Sequence, residues 1–322
     1  MVAAAGFPFV QVEASPFVRK LSLRALMSPF VALRSVSRAR PVVAGADVVV
    51  GMGGYVSVPV AVAALRARVP LVLHEQNAVP GLANRVLARP ARTVGLAFVE
   101  ATRLLPRRAR TVVTGNPVRE PIHAVTTDRE TLAKEAYSEL RLDPAKRTIV
   151  MFGGSQGALH VNRAAVDAVR RLGDLDAQIL LLAGPAHADR VSAELGGDTA
   201  VSVRVFPFLE RMELAYAIAD LAVCRAGATT CAELSVCGVP SVLVPYPYAT
   251  ARHQDANARA LERAGAAIVV LDDELEGAGL ASRIRALLDD PTRLAEMSRR
   301  ARAWSKPEAA DALARAVVAS AE

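Results

Sequence analysis

Short β-rich apolar segments alternate with helical ones along this chain, and that alternation narrows its possible folds more than any other feature. Asp47–Gly51 (DVVVG), Pro70–Leu73, Thr93–Ala97 and Thr111–Val113 read as strands, with helices over Val58–Arg68 and Leu82–Ala88 between them. Near-continuous apolar strands separated by helix-length segments belong to parallel sheets covered by helices on both faces. Around Asn116–Arg129 the pattern stops, with Pro117, Pro121 and several threonines, which reads as an interdomain connection. A helix is expected to restart at Thr127, whose spacing to Glu130 fits a capping box.

The alternation then resumes. Strands are expected at Arg147–Phe152, Gln178–Ala183, Val201–Val205, Leu221–Cys224, Ser241–Val244 and Ala267–Leu271. Helices are expected at Ala158–Arg171, Ala186–Leu195, Thr229–Cys237 and Arg252–Ala264, and from Leu280 onward with breaks at Pro291 and Pro307. No repeat of solenoid length is present. A chain of 322 residues accommodates two domains of roughly 100–200 residues each. The expected fold is therefore α/β with two doubly wound domains, and a ligand is expected in the cleft between them.

Charge is divided unevenly along the chain. Residues 1–118 carry 15 basic and 4 acidic side chains, a balance of +11, against a net +7 for the whole chain. An anionic partner for that half follows: a membrane surface, a phosphorylated substrate or a nucleic acid. Aromatic residues make up only 4% of the chain, which argues against base-stacking platforms. The cysteines Cys224, Cys231 and Cys237 lack metal-ligand spacing and read as small buried hydrophobes in a reducing compartment. No apolar run is long enough for a spanning helix. The first residues, interrupted by Gln11 and Glu13, do not read as a signal peptide.

Four clusters can carry chemistry. Gly153-Gly154-Ser155-Gln156-Gly157-Ala158 follows a strand and precedes a helix, so backbone N–H groups and the helix dipole can meet an anion there. It has no lysine after the glycines and is not a P-loop. Arg225–Glu233 forms a second strand-to-helix junction, in which Thr229 and Thr230 can cap the helix or meet a phosphate. Glu233 can accept two hydrogen bonds from a ribose diol or simply favour the helix dipole. Gly51–Tyr55 is a third glycine-rich junction. The fourth cluster, His74-Glu75-Gln76-Asn77, sits at a strand's carboxyl end, where open α/β sheets place binding groups.

Together these segments resemble one family. GMGGYVSVP, LHEQNAVPGLANR, TGNPVR, GGSQGA, CRAGATTCAEL and HQDANARAL occur in the order and approximate spacing of the MurG family. Those are membrane-associated N-acetylglucosaminyltransferases of peptidoglycan synthesis. The resemblance implies a glycosyltransferase-B fold of two Rossmann-like domains. On this reading residues 1–118 form the acceptor- and membrane-facing domain and 119–305 the UDP-sugar domain, with 306–322 a helix returning to the first. The implied reaction is inverting transfer of N-acetylglucosamine from its UDP-sugar to undecaprenyl-pyrophosphoryl-N-acetylmuramyl-pentapeptide (lipid I to lipid II).

Carried onto this sequence, the resemblance puts Ser155 and Arg119 at the diphosphate and the backbone of Leu209 at uracil. Ala228, Thr229, Thr230, Cys231, Ala232 and Glu233 would cradle diphosphate and ribose, with Glu233 on the diol. Gln254 and Asn257 would meet sugar hydroxyls, with His253 beside them, and Asn77 the donor sugar. Tyr55, Glu75 and His74 are the acceptor-side candidates. No metal or other cofactor is implied. The implied partners are UDP-N-acetylglucosamine, lipid I, the anionic inner-membrane surface and other cell-wall synthesis and division proteins, with no nucleic acid. Between Ala14 and Ala46 basic residues including Arg19, Lys20, Arg24, Arg34, Arg38 and Arg40 alternate with apolar ones and no acid, as in the family's lipid-docking patch. Its place would be the cytoplasmic face of the bacterial cell membrane, as a peripheral protein.

One family feature has no match: the first strand, a glycine-rich loop ending in the histidine that serves as candidate general base, and the helix after it. The first domain is therefore expected to be N-terminally incomplete, with an exposed hydrophobic sheet edge. An inactive UDP-sugar-binding or scaffold protein is the alternative if Met1 is the true start. A UDP-N-acetylglucosamine 2-epimerase would share the fold, but the HEQNAVPGLANR and GNPVR segments favour the transferase.

Overall fold

The structure is a computed structural model that describes residues 6–11, 34–173, 175–196, 199 and 201–322. Its internal contacts divide the chain into two compact units, Met1–Gly115 with Glu308–Glu322, and Asn116–Pro307. Most of the basic and apolar run, including Arg19, Lys20 and Arg24, lies outside the described residues. No helix among the described residues is long and apolar enough to cross a membrane.

Among the described residues the first helix of this unit, α1, covers residues 34–43; its Val36, Ala39 and Val43 are buried while Arg34, Arg38 and Arg40 are exposed. This is the i, i+3, i+7 stripe of a helix with one face packed inward. There follow β1 (Val49–Gly51), α2 (Ser57–Ala67), β2 (Leu71–Glu75), α3 (Leu82–Leu87), β3 (Thr93–Leu96) and β4 (Thr111–Val113). All described strands are parallel, in the order β1-β2-β3-β4. β2 is buried at all five positions, whereas Val50 on β1 and Val112 and Val113 on β4 are exposed.

The second unit begins inside the stretch where the sequence pattern stops. That stretch contains a short helix, α4 (Glu120–Ala124), with Pro121 in its first turn, where a missing N–H costs nothing. The expected capping box does not form: α5 spans Arg129–Glu139, and Thr127 Oγ1 instead donates back to the Ala124 carbonyl at 3.3 Å. Next come β5 (Arg147–Phe152), α6 (Leu159–Arg171), β6 (Ala177–Leu182), α7 (Ala188–Leu195) and β7 (Ser202–Phe206). The sequence pattern did not reveal α8 (Met212–Ile218), which precedes β8 (Ala219–Cys224), α9 (Ala228–Cys237), β9 (Ser241–Leu243), α10 (His253–Arg263) and β10 (Ala267–Val269). Helices α11 (Gly277–Leu288) and α12 (Pro291–Trp304) complete the unit. Asp290 caps α12 with Oδ1 on the Arg293 N–H at 2.9 Å, and Pro291 starts the helix.

The six-stranded sheet runs β10-β9-β8-β5-β6-β7, all parallel. After β7 the chain returns to the other side of β5, so β5 and β8 flank the point where the winding reverses. Ile149, Met151, Ile179, Leu181, Leu221 and Val223 sit in a core shared with α6 and α11. The last helix, α13 (Ala309–Ala321), rejoins the first unit, where Ser320 Oγ meets Thr93 Oγ1 at 3.2 Å.

Candidate active site

In open α/β sheets ligands bind beyond the carboxyl ends of the strands where the winding reverses. Here those are the ends of β5 and β8, in register at Phe152 and Cys224, so the two glycine-rich loops start side by side. The first loop, 153–158, turns sharply into α6. Gly157 has φ +74°, and a side chain there would run into the Ala183 carbonyl. Asn162, buried on α6, donates to that same carbonyl at 2.8 Å and holds the helix against the end of β6. Ser155 is exposed at the loop's tip, and no side chain caps the N-terminus of α6. Its first-turn N–H groups stay open to an anion.

The second loop repeats the arrangement. Gly227 is the N-cap of α9 and offers no side-chain oxygen. Thr229 is exposed, Thr230 and Ala232 are half-buried, and Ala228 and Cys231 are buried. Asn116 Nδ2 reaches Thr229 Oγ1 at 3.5 Å. Glu233, only 7% exposed, accepts a hydrogen bond at Oε2 from the hydroxyl of fully buried Tyr216 at 3.0 Å. Burial pushes the Glu233 carboxyl above its ordinary range, while the Tyr216 hydrogen bond and the nearby Arg119 charge pull against it. Burial likewise pushes the Cys231 and Cys237 thiols up to about 12, so neither serves as a nucleophile near neutral pH.

Several supports of this site went unseen in the sequence. Arg129, the first residue of α5, donates from Nη2 to the Tyr216 carbonyl at 2.8 Å and from Nε to the Ala217 carbonyl at 2.9 Å, placing a cation at the C-terminal end of α8. Arg225, within a motif but given no role, is buried. It donates to the Val244 and Pro245 carbonyls and to Asp272, and lies 5.5 Å from the Tyr246 ring centre. Asp272 also accepts from His160 Nδ1 at 2.9 Å. Burial pushes the Asp272 carboxyl up, but the hydrogen bonds from His160 and Arg225 prevail and leave it below its ordinary range. The signal for these partners is tertiary; nothing in their spacing announces them.

Of the remaining expected residues, Gln254 Oε1 accepts the Tyr246 N–H at 2.9 Å, in the first turn of α10. Just before it, Ala251 and Arg252 hold positive φ angles of 53° and 52°. His253 is half-buried and bonds the Thr250 carbonyl through Nδ1 at 2.7 Å. Asn257, expected at the sugar hydroxyls, is fully buried and its amide donates to the Ala226 carbonyl at 3.2 Å. It therefore steadies the second glycine loop from behind. Leu209 is buried in the loop between β7 and α8, and Arg119 is exposed at the start of α4.

The first unit gathers its own polar cluster at the end of β2. Glu75 accepts the Asn77 N–H (2.9 Å) and amide (3.4 Å) at Oε1, and the Gly81 N–H (3.0 Å) and Asn84 amide (2.8 Å) at Oε2. Both oxygens thus hold the loop that leads into α3. The ring of His74 is completely buried, with Nε2 3.0 Å from the Gly115 carbonyl. Burial pushes its pKa down, against the pull of that carbonyl and of Glu75. His74 and Glu75 are both buried away from an outside hydroxyl, although His74 Nδ1 has no partner among the described residues, whereas Tyr55 is exposed beyond β1.

Comparison with known proteins identifies the family. Residues 1–96 match the glycosyltransferase family 28 N-terminal domain and residues 148–313 its C-terminal domain. A protein of Halothermothrix orenii named UDP-N-acetylglucosamine–N-acetylmuramyl-(pentapeptide) pyrophosphoryl-undecaprenol N-acetylglucosamine transferase is 42% identical, over 97% of this chain and 85% of its own. The chain belongs to the MurG family. The crystal structure of Acinetobacter baumannii MurG aligns with a TM-score of 0.76 at 29% identity, covering 99% of this chain and 87% of that one. MurG-family architecture is shared more widely. A UDP-GlcNAc 2-epimerase from Neisseria meningitidis aligns at a TM-score of 0.65 over 92% of this chain and 82% of its own, but its 12% identity marks likeness of fold alone.

Proposed function

We propose that the two uncapped helix N-termini after β5 and β8 hold the diphosphate of UDP-N-acetylglucosamine, with Glu233 on the ribose diol. The protein is a glycosyltransferase of peptidoglycan synthesis: it transfers N-acetylglucosamine from UDP-N-acetylglucosamine to undecaprenyl-pyrophosphoryl-N-acetylmuramyl-pentapeptide. The observation that carries the site assignment is the pairing of two open helix termini at the winding reversal, with a buried carboxylate one turn into the second helix.

As the bond from the sugar's anomeric carbon to UDP breaks, negative charge grows on the diphosphate. The α6 and α9 N–H groups, Ser155 and Arg119 meet that charge in place, without reorganisation during the reaction. Ala228, Thr229, Thr230, Cys231 and Ala232 supply the second half of the cradle. The Leu209 backbone faces uracil. Gln254 serves the sugar hydroxyls, with Asn257 behind it, and Asn77 meets the donor sugar. The acceptor's 4-hydroxyl attacks the anomeric carbon from the opposite side as the bond to UDP breaks, its proton leaves to solvent, and the carbon is inverted; Tyr55 stands on that acceptor side with the loop held by Glu75. The basic and apolar run that includes Arg34, Arg38 and Arg40 docks on anionic lipid at the cytoplasmic face of the membrane.

Radiolabelled UDP-N-acetylglucosamine incubated with lipid I tests the reaction. The expected products are labelled disaccharide-lipid and UDP. Conversion to UDP-N-acetylmannosamine, and no labelled lipid, would overturn it in favour of an epimerase. Sedimentation with anionic but not zwitterionic vesicles is the expected outcome for the docking surface.

A further inference from the structure

We propose that Tyr216 is the positioning residue for nucleoside recognition, holding Glu233 in the orientation that meets both ribose hydroxyls and so setting the preference for ribose over deoxyribose. The inference rests on the assignment of Glu233 to the diol. A glutamate in a helix has three side-chain torsions, and an unanchored carboxylate must lose that freedom whenever a nucleotide binds. Here the loss is already incurred. Tyr216 Oη donates to Glu233 Oε2 at 3.0 Å, while Glu233 Oε1 accepts no hydrogen bond from the described residues. One donor at one oxygen leaves lone pairs for a vicinal diol.

Tyr216 is itself held from two sides. Its ring, fully buried, meets Phe152 edge-on with centres 6.3 Å apart, at the end of β5 where the first glycine loop starts. Its carbonyl takes the Arg129 guanidinium. The hydroxyl that aims Glu233 is thus fixed by the same strand that launches the diphosphate loop. Burial pushes the phenol well above its ordinary range, so it stays a neutral donor through physiological pH.

The test compares UDP with 2′-deoxy-UDP by calorimetry on the full-length wild type, Tyr216→Phe and Glu233→Gln. Phenylalanine keeps the ring and removes only the hydroxyl. The expected result is a loss of roughly tenfold in UDP affinity for Tyr216→Phe. 2′-Deoxy-UDP should lose less, so that the ribose preference shrinks, and KM for the donor should rise more than kcat falls. Equal losses for both nucleotides would mark Tyr216 as packing only and overturn the proposal, as would an unchanged preference. If wild type shows no preference, or Glu233→Gln keeps it in full, the diol assignment of Glu233 is what fails.

Discussion

Both units run a strand into a glycine-rich loop and then a helix, yet only the second starts two such loops side by side at a reversal of the strand order. In the second unit the sheet order reverses between β5 and β8, and the loops that follow keep two helix N-termini uncapped. In the first unit the described strands follow in sequence, β1-β2-β3-β4, and the polar cluster after β2 turns inward onto Glu75, which takes four donors, while His74 Nδ1 and Asn84 Oδ1 keep no partner among the described residues. A glycine after a strand therefore says that something can approach closely.

The sharpest way to break this contrast is to place a methyl group in each loop. Gly157→Ala forces a positive φ on alanine and drives its Cβ into the Ala183 carbonyl, so the diphosphate loop must move. UDP binding, read by calorimetry, should fall by more than tenfold. Gly54→Ala meets nothing closer than a Val56 methyl at 3.8 Å, although its φ is +76°. It should cost about 1 kcal/mol of stability for that backbone conformation and leave UDP affinity unchanged. Similar losses of UDP affinity in both variants would erase the distinction between the two loops.

Strands and glycine loops were legible in the sequence because each is a local pattern: β5 lies where Arg147–Phe152 was expected. Helix α8 was not, because Glu213 to Ile218 are all buried and a helix packed all round has no amphipathic period. The stretch after Asn116 looked like a break because α4 is five residues long and contains a proline. It nevertheless supplies Arg119 near Glu233 and Arg129, which donates to carbonyls at the end of α8. At the site, Glu233 was legible as a carboxylate one turn into a helix that follows a strand. Its partner Tyr216, on another helix, and the Arg225–Asp272 pair, 47 residues apart, are products of packing that no spacing rule announces.

Two glutamates carry the comparison further, each buried at the carboxyl end of its sheet. Glu233→Gln removes a charged acceptor that is proposed to bind ligand, and UDP affinity should fall roughly tenfold or more. Its raised carboxyl pKa adds a pH signature. The ionised form accepts both hydroxyls, so UDP affinity should weaken on acidification at a higher pH than an ordinary carboxylate would dictate. Glu75→Gln turns an amide toward groups that are themselves donors, and should cost about 1–3 kcal/mol of stability with UDP affinity intact. Thermal unfolding and nucleotide calorimetry on both variants give the answer. Loss of UDP binding in Glu75→Gln without destabilisation would mean that the first unit's cluster is also a nucleotide site.

The smallest expected effect is also confined to the first unit. His74 is buried in a strand, with its pKa pushed below the ordinary 6.5 by burial. In the unfolded chain the imidazole picks up a proton as pH falls through about 6.5, while the folded protein still resists it. Between those two pKa values the unfolded state binds more protons, so stability is fully present above the ordinary value and is lost as pH falls toward the lowered one. One such group gives a slope of at most about 1.4 kcal/mol per pH unit. Urea unfolding at a series of pH values should show this slope in wild type and its loss in His74→Gln, where an uncharged amide can still donate to the Gly115 carbonyl. If the slope survives the substitution, its source is another group, and the buried ring at the end of β2 is a packing element without a titration of its own.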